Sequence, residues 1–347
     1  MDQMVEAICK EIELTTNFLP EKKLASIYFG GGTPSILNSN QLGKIIELLA
    51  KFYHWDDSCE ITLEANPDDM NEIKLTSWLT LGINRISVGI QSFDDEDLQF
   101  MNRSHTAEEA LNCLKLAKQV GVQELSLDLI YGSPTTSMDK WKKNIDTALI
   151  MEPQHISAYC LTVEEKTALH HMVKTKRVAA PDEKLSADQF DVLISTLDKA
   201  GYIHYEISNF GKPCHFAKHN TSYWQNKAYL GIGPSAHSYS GKLRRWNVAQ
   251  NHQYMRAIES GIIPSETEIL STEDIYNEMI MTGLRTIWGV DSKRIEELGI
   301  QFLEHFKRVL RSKNITEMIV ENEGIFTLSA KGKHYADRVA MEFFWTT

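Results

Sequence analysis

Three patterns are missing from this chain of 347 residues. Its five cysteines, Cys9, Cys59, Cys113, Cys160 and Cys214, form no C-x-x-C or C-x-x-x-C spacing. An odd number scattered so widely excludes a disulfide framework and a structural zinc site, and each reads as a small buried apolar residue. No uninterrupted apolar run approaches the roughly 20 residues that cross a bilayer. The opening MDQMVEAICKEIEL is acidic and amphipathic, without the basic and apolar regions of a signal peptide, which predicts a cytoplasmic protein. No long basic run offsets a formal charge of −11, so nucleic acid and anionic membrane are set aside and a small molecule becomes the first partner to look for. With 42% hydrophobic and 24% charged residues, the chain has material for one large domain and a smaller one.

The first half alternates two periodicities. Short β-rich runs at Ala25–Phe29, Glu60–Glu64, Arg85–Ile90, Leu125–Ile130 and His155–Leu161 are separated by amphipathic stretches such as Gln41–Phe52 and Ala107–Gln119. That is a βαβ series, hence an α/β fold with a parallel sheet or barrel over 1–181. Polar residues fall at the ends of these runs, where parallel α/β folds bind ligands: Gly31 to Thr33, Glu64, Gln91 and Asp128. After Pro181 a helix at about Glu183–Ala200 leads into NFGKPCHFAKHNTSYWQNKAYLGIGPSAHSY. The loop-like composition with much apolar content predicts an ordered functional loop within a connecting region, 182–268. From about Ile269 the pattern is helical again. NITEMIVENEGIFTLSAKGKHYADRVAMEFF predicts a hairpin and closing helix, giving 269–347 as a mostly helical, winged-helix-like domain. Its charges nearly balance, so DNA binding is not inferred.

The stretch YFGGGTPS, Tyr28 to Ser35, directly follows a β-run. No Gly-Lys-Ser/Thr ends it, and Ser35 stands where a dinucleotide fingerprint from Gly30 needs glycine, so neither phosphate motif fits. Without Cβ atoms, these glycines let backbone N–H and C=O groups approach a ligand; alone, they equally describe a tight strand-to-helix turn.

GGGTPS, ITLEANPDD, RISVGIQSF, MNRSH and LDLIYGSP, in that order, resemble the radical S-adenosylmethionine enzymes, specifically their coproporphyrinogen oxidase-like family. The resemblance runs from Tyr28 through the C-terminal domain, the latter of the HemN type. It implies a partial (β/α) barrel and S-adenosylmethionine contacts at Gly31, Gly32, Thr33, Glu64, Gln91, Arg103 and Asp128. The chemistry is consistent, since hydroxyls and an ammonium call for carboxylate or carbonyl acceptors and a carboxylate calls for arginine. Singly, Glu64 or Asp128 could be a helix cap or surface carboxylate, and Arg103 a solvated helix residue.

The family holds a [4Fe–4S] cluster in a C-x-x-x-C-x-x-C loop ahead of the GGTP segment, where this chain has only Cys9, on a helical pattern. The resemblance places the family's first strand, an aromatic cofactor contact and the three cysteines before residue 1. Two explanations stand: a product shortened by roughly 40 residues, about one βα unit, or a paralogue that has lost its cluster. Retention of the other cofactor positions favours the first. Either way the chain as given is expected not to cleave S-adenosylmethionine, and its Ala25–Phe29 strand is expected to be a sheet edge.

HNTSYW, His219 to Trp224, matches the HNxxYW motif of the family's heme-chaperone branch, and YEISNF and YLGIGPSAHSY resemble that branch too. The resemblance implies heme as ligand, His219 as candidate iron ligand, and hemoproteins as recipients; imidazole offers a nitrogen lone pair and aromatic rings can cover a macrocycle. His215 and His237 are reserves. Without the motif, His219 reads as a hydrogen-bonded loop histidine. The competing function is oxygen-independent oxidative decarboxylation of coproporphyrinogen III.

Overall fold

Alternation at period two in the first half of the sequence becomes strand. The computed structural model describes residues 1–346. Its first strands are β1 (Ser26–Phe29), β2 (Glu60–Ala65), β3 (Arg85–Gln91), β4 (Glu124–Tyr131), β5 (His155–Cys160), β6 (Ile203–Glu206) and β7 (Asn209–Gly211). They hydrogen-bond in the order β1-β2-β3-β4-β5-β7-β6, with β2 to β5 parallel and β7 antiparallel to both β5 and β6. All five predicted strands are present, no end displaced by more than one residue. The hairpin β6–β7 is an addition to that expectation.

The chain forms two compact units, neither continuous in sequence: a sheet unit of Ile27–Ile36 and Glu60–Ala217, and a second unit of Met1–Ser26, Leu37–Cys59 and Lys218–Thr347. In the sheet unit the strands have two unlike faces. Ile61, Leu63, Ala65, Ile86, Val88, Ile90, Leu125, Leu127, Leu129, Ile156 and Ala158 alternate on one side and are buried. The in-register rows of the other side are polar: Glu64, Ser87, Ser126 and His155, then Asp128, Ser157 and Asn209. An apolar face directed to a core and a polar face directed to a ligand or water is what the pleat allows. The intervening helices begin at side-chain caps, for example Asn71 before Glu72–Thr80, Thr106 with Glu109 before Ala107–Val120, and Asp182 before Glu183–Lys199. Beyond β4, Gln189 accepts from the Gly132 N–H at 2.8 Å and donates to the Thr136 carbonyl at 2.7 Å, while fully buried Trp141 donates to the Gln189 carbonyl at 2.9 Å.

At the start of the strands the polar face is closed by charge. Buried Arg85 meets Glu60 and Glu124, each at 3.5 Å, and the His215 carbonyl at 3.4 Å. His155, with burial holding it neutral, bonds Ser126 at 2.6 Å and the Tyr205 hydroxyl at 2.8 Å.

In the second unit, helix Asp2–Leu14 pairs with Ser39–Phe52 through Gln41 to Asp2 at 2.7 Å and a Lys44–Glu6 ion pair. Its Ala7 packs with Tyr254 and Ile258 of helix Asn251–Glu259. Strands β8 (His237–Tyr239), β9 (Leu243–Asn247) and β10 (Ser265–Ile269) make an antiparallel sheet in the order β10-β9-β8. The expected loop, 209–239, is thus interrupted by strand Asn209–Gly211, helix Lys218–Trp224 and strand His237–Tyr239. The signal was reversed, since Arg245 and Asn247 are the buried positions of β9 while Ile269 on β10 is 80% exposed.

Last come β11 (Val290–Asp291), β12 (Ile319–Asn322) and β13 (Ile325–Leu328), ordered β11-β13-β12. The predicted hairpin is β12–β13. Glu323 and Gly324 between them both have positive φ, the two-residue turn that matches strand twist. Helices Thr272–Leu284, Ser292–Leu298, Ile300–Leu310 and Ala336–Glu342 accompany this sheet.

Candidate functional site

Beyond β1, Gly31 and Gly32 adopt φ of +73° and +69°, with open space where side chains would stand. At Gly30 a Cβ would lie 2.3 Å from the Tyr28 ring and 2.9 Å from Glu64 Oε1, so glycine is what lets this loop close on Glu64. Glu64, near the end of β2, accepts from the Tyr28 hydroxyl at 2.5 Å and from the Gly31 N–H at 3.2 Å. The Thr33 carbonyl accepts from Ile36 at 3.2 Å, starting the single turn Pro34–Ile36, which Ser35 ties to Asp69 at 2.7 Å.

The end of β3 is irregular. Its register with β4 shifts between Val88 and Gln91, and Gln91 takes φ of +66°. Gln91 Nε2 and Arg103 Nη2 converge over Gly89, 2.9 and 3.0 Å from where a Cβ would sit. Arg103 also donates to Asn66 Oδ1 at 2.9 Å and to the Gly89 carbonyl at 3.0 Å. Its segment is pinned by His105, hydrogen bonded to the Ile90 carbonyl at 3.1 Å.

Asp128 on β4 stands 3.4 Å from Ser87 Oγ. Burial pushes its carboxyl up to about 6 and neighbouring Glu64 adds to the rise, while hydrogen bonds from Ser157 and Ser87 and the charge of Arg103 oppose it. Burial also raises the Tyr28 and Tyr159 phenols, helped by the same carboxylates. Glu64, Gln91, Arg103 and Asp128, from three strands and one loop, thus form one electrostatic neighbourhood. Two acidic acceptors, one guanidinium and an open glycine backbone suit a hydroxylated, zwitterionic ligand. Tyr28, Asn66, Ser87, Ser157 and Tyr159 belong to the same surface and were missed; for Ser87, Ser157 and Tyr159 the available signal was their position on the polar parity of the strands.

The HNTSYW segment lies in the second unit, on helix Lys218–Trp224, and is not a loop. One turn apart, His219 and Tyr223 share a face: His219 Nε2 bonds the Tyr223 hydroxyl at 2.8 Å, and Nδ1 bonds Ser26 Oγ at 2.9 Å. Burial pushes the imidazole down to about 4, so the ring is neutral at pH 7. Tyr223 meets Tyr229 edge-on at 4.6 Å, and the Arg285 guanidinium lies 5.3 Å from the centre of the Trp224 ring. The Trp224 indole N–H is buried without an acceptor among the described residues. Of the reserve histidines, His215 bonds Glu124 at 2.6 Å, and His237, on β8, stacks at 6.2 Å with Trp246.

The model of the radical SAM superfamily matches residues 8–148, and that of the HemN C-terminal domain matches 270–334. The heme chaperone HemW of Bacillus subtilis is 32% identical over 98% of this chain and 90% of its own length. This chain belongs to the HemW family. The HemW of Lactococcus lactis is likewise 32% identical, over 92% of this chain and 82% of its own, and the mitochondrial radical S-adenosyl methionine domain-containing protein 1 of Bos taurus is 30% identical, over 90% and 72%. Among solved structures, coproporphyrinogen III oxidase (HemN) of Escherichia coli, a radical SAM enzyme, superposes with a TM-score of 0.83 over 99% of this chain and 82% of its own, at 21% identity. That likeness establishes the fold: the parallel-rich sheet is a curled radical-SAM half-barrel, followed by a mostly helical C-terminal region.

Membership of this superfamily implies S-adenosylmethionine and a [4Fe–4S] cluster. The strand-end residues fit the first. The cysteines do not fit the second: Cys9, Cys59 and Cys113 are buried, Cys160 and Cys214 are exposed, and burial raises the Cys9 and Cys113 thiols away from the thiolate that iron requires. Among the described residues no group of three or more His, Cys, Asp or Glu is arranged to hold a metal. No helix of the described residues is long and apolar enough to cross a membrane.

Proposed function

We propose that this protein is a cytoplasmic heme chaperone that binds heme through His219 and passes it to hemoproteins, while its half-barrel holds S-adenosylmethionine. The observation that carries the reading is the 32% identity to a heme chaperone HemW across 98% of the chain. The HNTSYW helix supports it with an imidazole that stays neutral, and so keeps a donor lone pair, at pH 7. Aromatic rings of Trp224 on the same helix and Tyr229 beside it supply apolar surface suited to a macrocycle.

In the half-barrel, Glu64, Asp128 and backbone at Gly31, Gly32 and Thr33 would take the adenosyl ligand's hydroxyls and ammonium. Arg103 would take its carboxylate, with Gln91 beside it. S-adenosylmethionine supplies a sulfonium whose reductive cleavage yields a carbon radical, a step that needs an electron source these residues do not hold. For the chain itself, the derived roles are binding and orientation. The competing decarboxylase reading rests on likeness of fold alone and is not advanced.

Titrating ferric heme into wild type and His219→Ala tests the proposal. A Soret shift in wild type that the variant loses is expected; equal binding by both removes His219 as the ligand, and absence of binding by wild type removes the chaperone reading.

A further inference from the structure

Both nitrogens of the His219 ring are occupied by hydroxyl groups of the chain itself. Ser26 Oγ stands 2.9 Å from Nδ1 and the Tyr223 hydroxyl 2.8 Å from Nε2. A neutral imidazole carries one proton, so one nitrogen donates and the other accepts. A metal bonds an imidazole nitrogen at about 2 Å, inside the position now held by the phenol oxygen. Iron and the Tyr223 hydroxyl therefore cannot share Nε2.

The two partners differ in what they can give up. Ser26 is half-buried at the start of β1, on backbone fixed by strand pairing, and it can hold an N–H at Nδ1. Tyr223 is 39% exposed on a short helix, and its ring meets His219 and Tyr229 edge-on, so its hydroxyl can turn away toward solvent. Resting on the heme reading above, we propose that Tyr223 is a displaceable mask over the iron-binding nitrogen of His219, and that Ser26 is the positioning residue that selects the tautomer with its lone pair at Nε2. On capture of heme one O–H to N hydrogen bond breaks and one iron–nitrogen bond forms. The phenol keeps its proton, the imidazole keeps its Nδ1–H, and no electron moves. A mask of this kind suits a carrier, because the returning phenol competes with iron and eases release to a recipient.

The test depends on opposite signs. Tyr223→Phe keeps the ring packing and removes the mask; its affinity for ferric heme should rise about threefold to tenfold, the worth of one neutral hydrogen bond. Ser26→Ala should lose about tenfold to a hundredfold, as for other outer-shell partners of metal-bound histidine, and should shift the Soret position of the bound form. Mere structural damage would weaken binding in both. Tyr223→Phe binding no tighter than wild type overturns the mask, and Ser26→Ala with unchanged affinity and spectrum overturns the tautomer assignment. If His219→Ala binds heme as wild type does, the site reading fails and the inference with it. If His219→Ala loses heme while the other variants match wild type, the inference alone fails. Far-UV circular dichroism melts of each variant establish that all are folded.

Discussion

Alanine at Gly89 perturbs the strand-end site without altering any side chain assigned to it. The backbone of Gly89 lies outside the left-handed region, so a Cβ is tolerated conformationally. That Cβ would stand 2.9 Å from Gln91 Nε2 and 3.0 Å from Arg103 Nη2. Both are far ends of flexible side chains, so β3 stays in place and the side chains yield. Arg103 then loses its bonds to Asn66 Oδ1 and the Gly89 carbonyl, now 2.9 and 3.0 Å. Hydrogen bonds to a charged group are worth about 1.5–3 kcal/mol. If that much of the poise of Arg103 toward the ligand carboxylate disappears, S-adenosylmethionine binding weakens about 10- to 100-fold. Stability should hardly change, because alanine in a strand regains up to about 1 kcal/mol relative to glycine and offsets the rearrangement. Isothermal titration with S-adenosylmethionine beside a thermal melt reads both quantities. Wild-type affinity in a fully folded Gly89→Ala protein would refute the placement of Gln91 and Arg103 in the site, and a collapsed melt would refute the claim that only side chains move.

Three further outcomes follow from the same geometry. Glu11, fully buried, accepts from the Gly233 N–H at 2.7 Å, Asn247 Nδ2 at 2.6 Å and the Tyr254 hydroxyl at 2.6 Å, so Glu11→Ala strands three donors and should cost about 3–5 kcal/mol in urea unfolding; a loss under about 1 kcal/mol contradicts the burial argument. Asp128 ionises at about 6, and its charged form is the better acceptor, so affinity for the adenosyl ligand should decline as pH falls from 7 to 5, and Asp128→Asn should flatten that decline; identical pH profiles for both proteins would exclude Asp128 from the site. His219 has its folded pKa lowered to about 4 from an ordinary 6.5, so protonation competes with iron only near pH 4: heme affinity should stay level from pH 8 to about 5, and a midpoint near 6.5 in Soret titrations would mean an exposed ligand instead.

The half-barrel was legible because two independent signals agreed along it. Each of β2 to β5 is apolar on one parity, and capped helices separate the strands, so pattern and punctuation marked the same boundaries. The residues proposed to meet the ligand could be singled out for a related reason: a charged residue on a buried strand, such as Asp128 between Leu127 and Leu129, has few explanations other than a ligand or a partner. What sequence pattern did not reveal was the residues that hold those groups in place. Tyr28 lies in the quoted glycine stretch, yet its bond to Glu64 depends on the pairing of β1 with β2, which spacing along the chain does not state.

The HNTSYW helix fails the same local tests for a physical reason. Asn, Thr, Ser and aromatic residues are weak helix formers, and seven residues are too few to be helical alone. Tertiary bonds supply what propensity lacks: Lys218 to the Ser58 carbonyl at 2.6 Å, His219 to Ser26, and Asn226, just past the helix, to Thr282 at 3.2 Å. Two of these join residues at least 160 positions apart, so no window of sequence contains them. The same fact bears on function. A helix held by outside contacts, with His219 itself one of the tethers, couples occupancy of that imidazole to the order of the helix. Heme taken through Nε2 leaves the Ser26 tether intact, whereas heme taken through Nδ1 would cut it. Amide exchange across Lys218–Trp224 should therefore slow or stay constant when heme binds; faster exchange would assign the iron to Nδ1 and reverse the roles given to Ser26 and Tyr223.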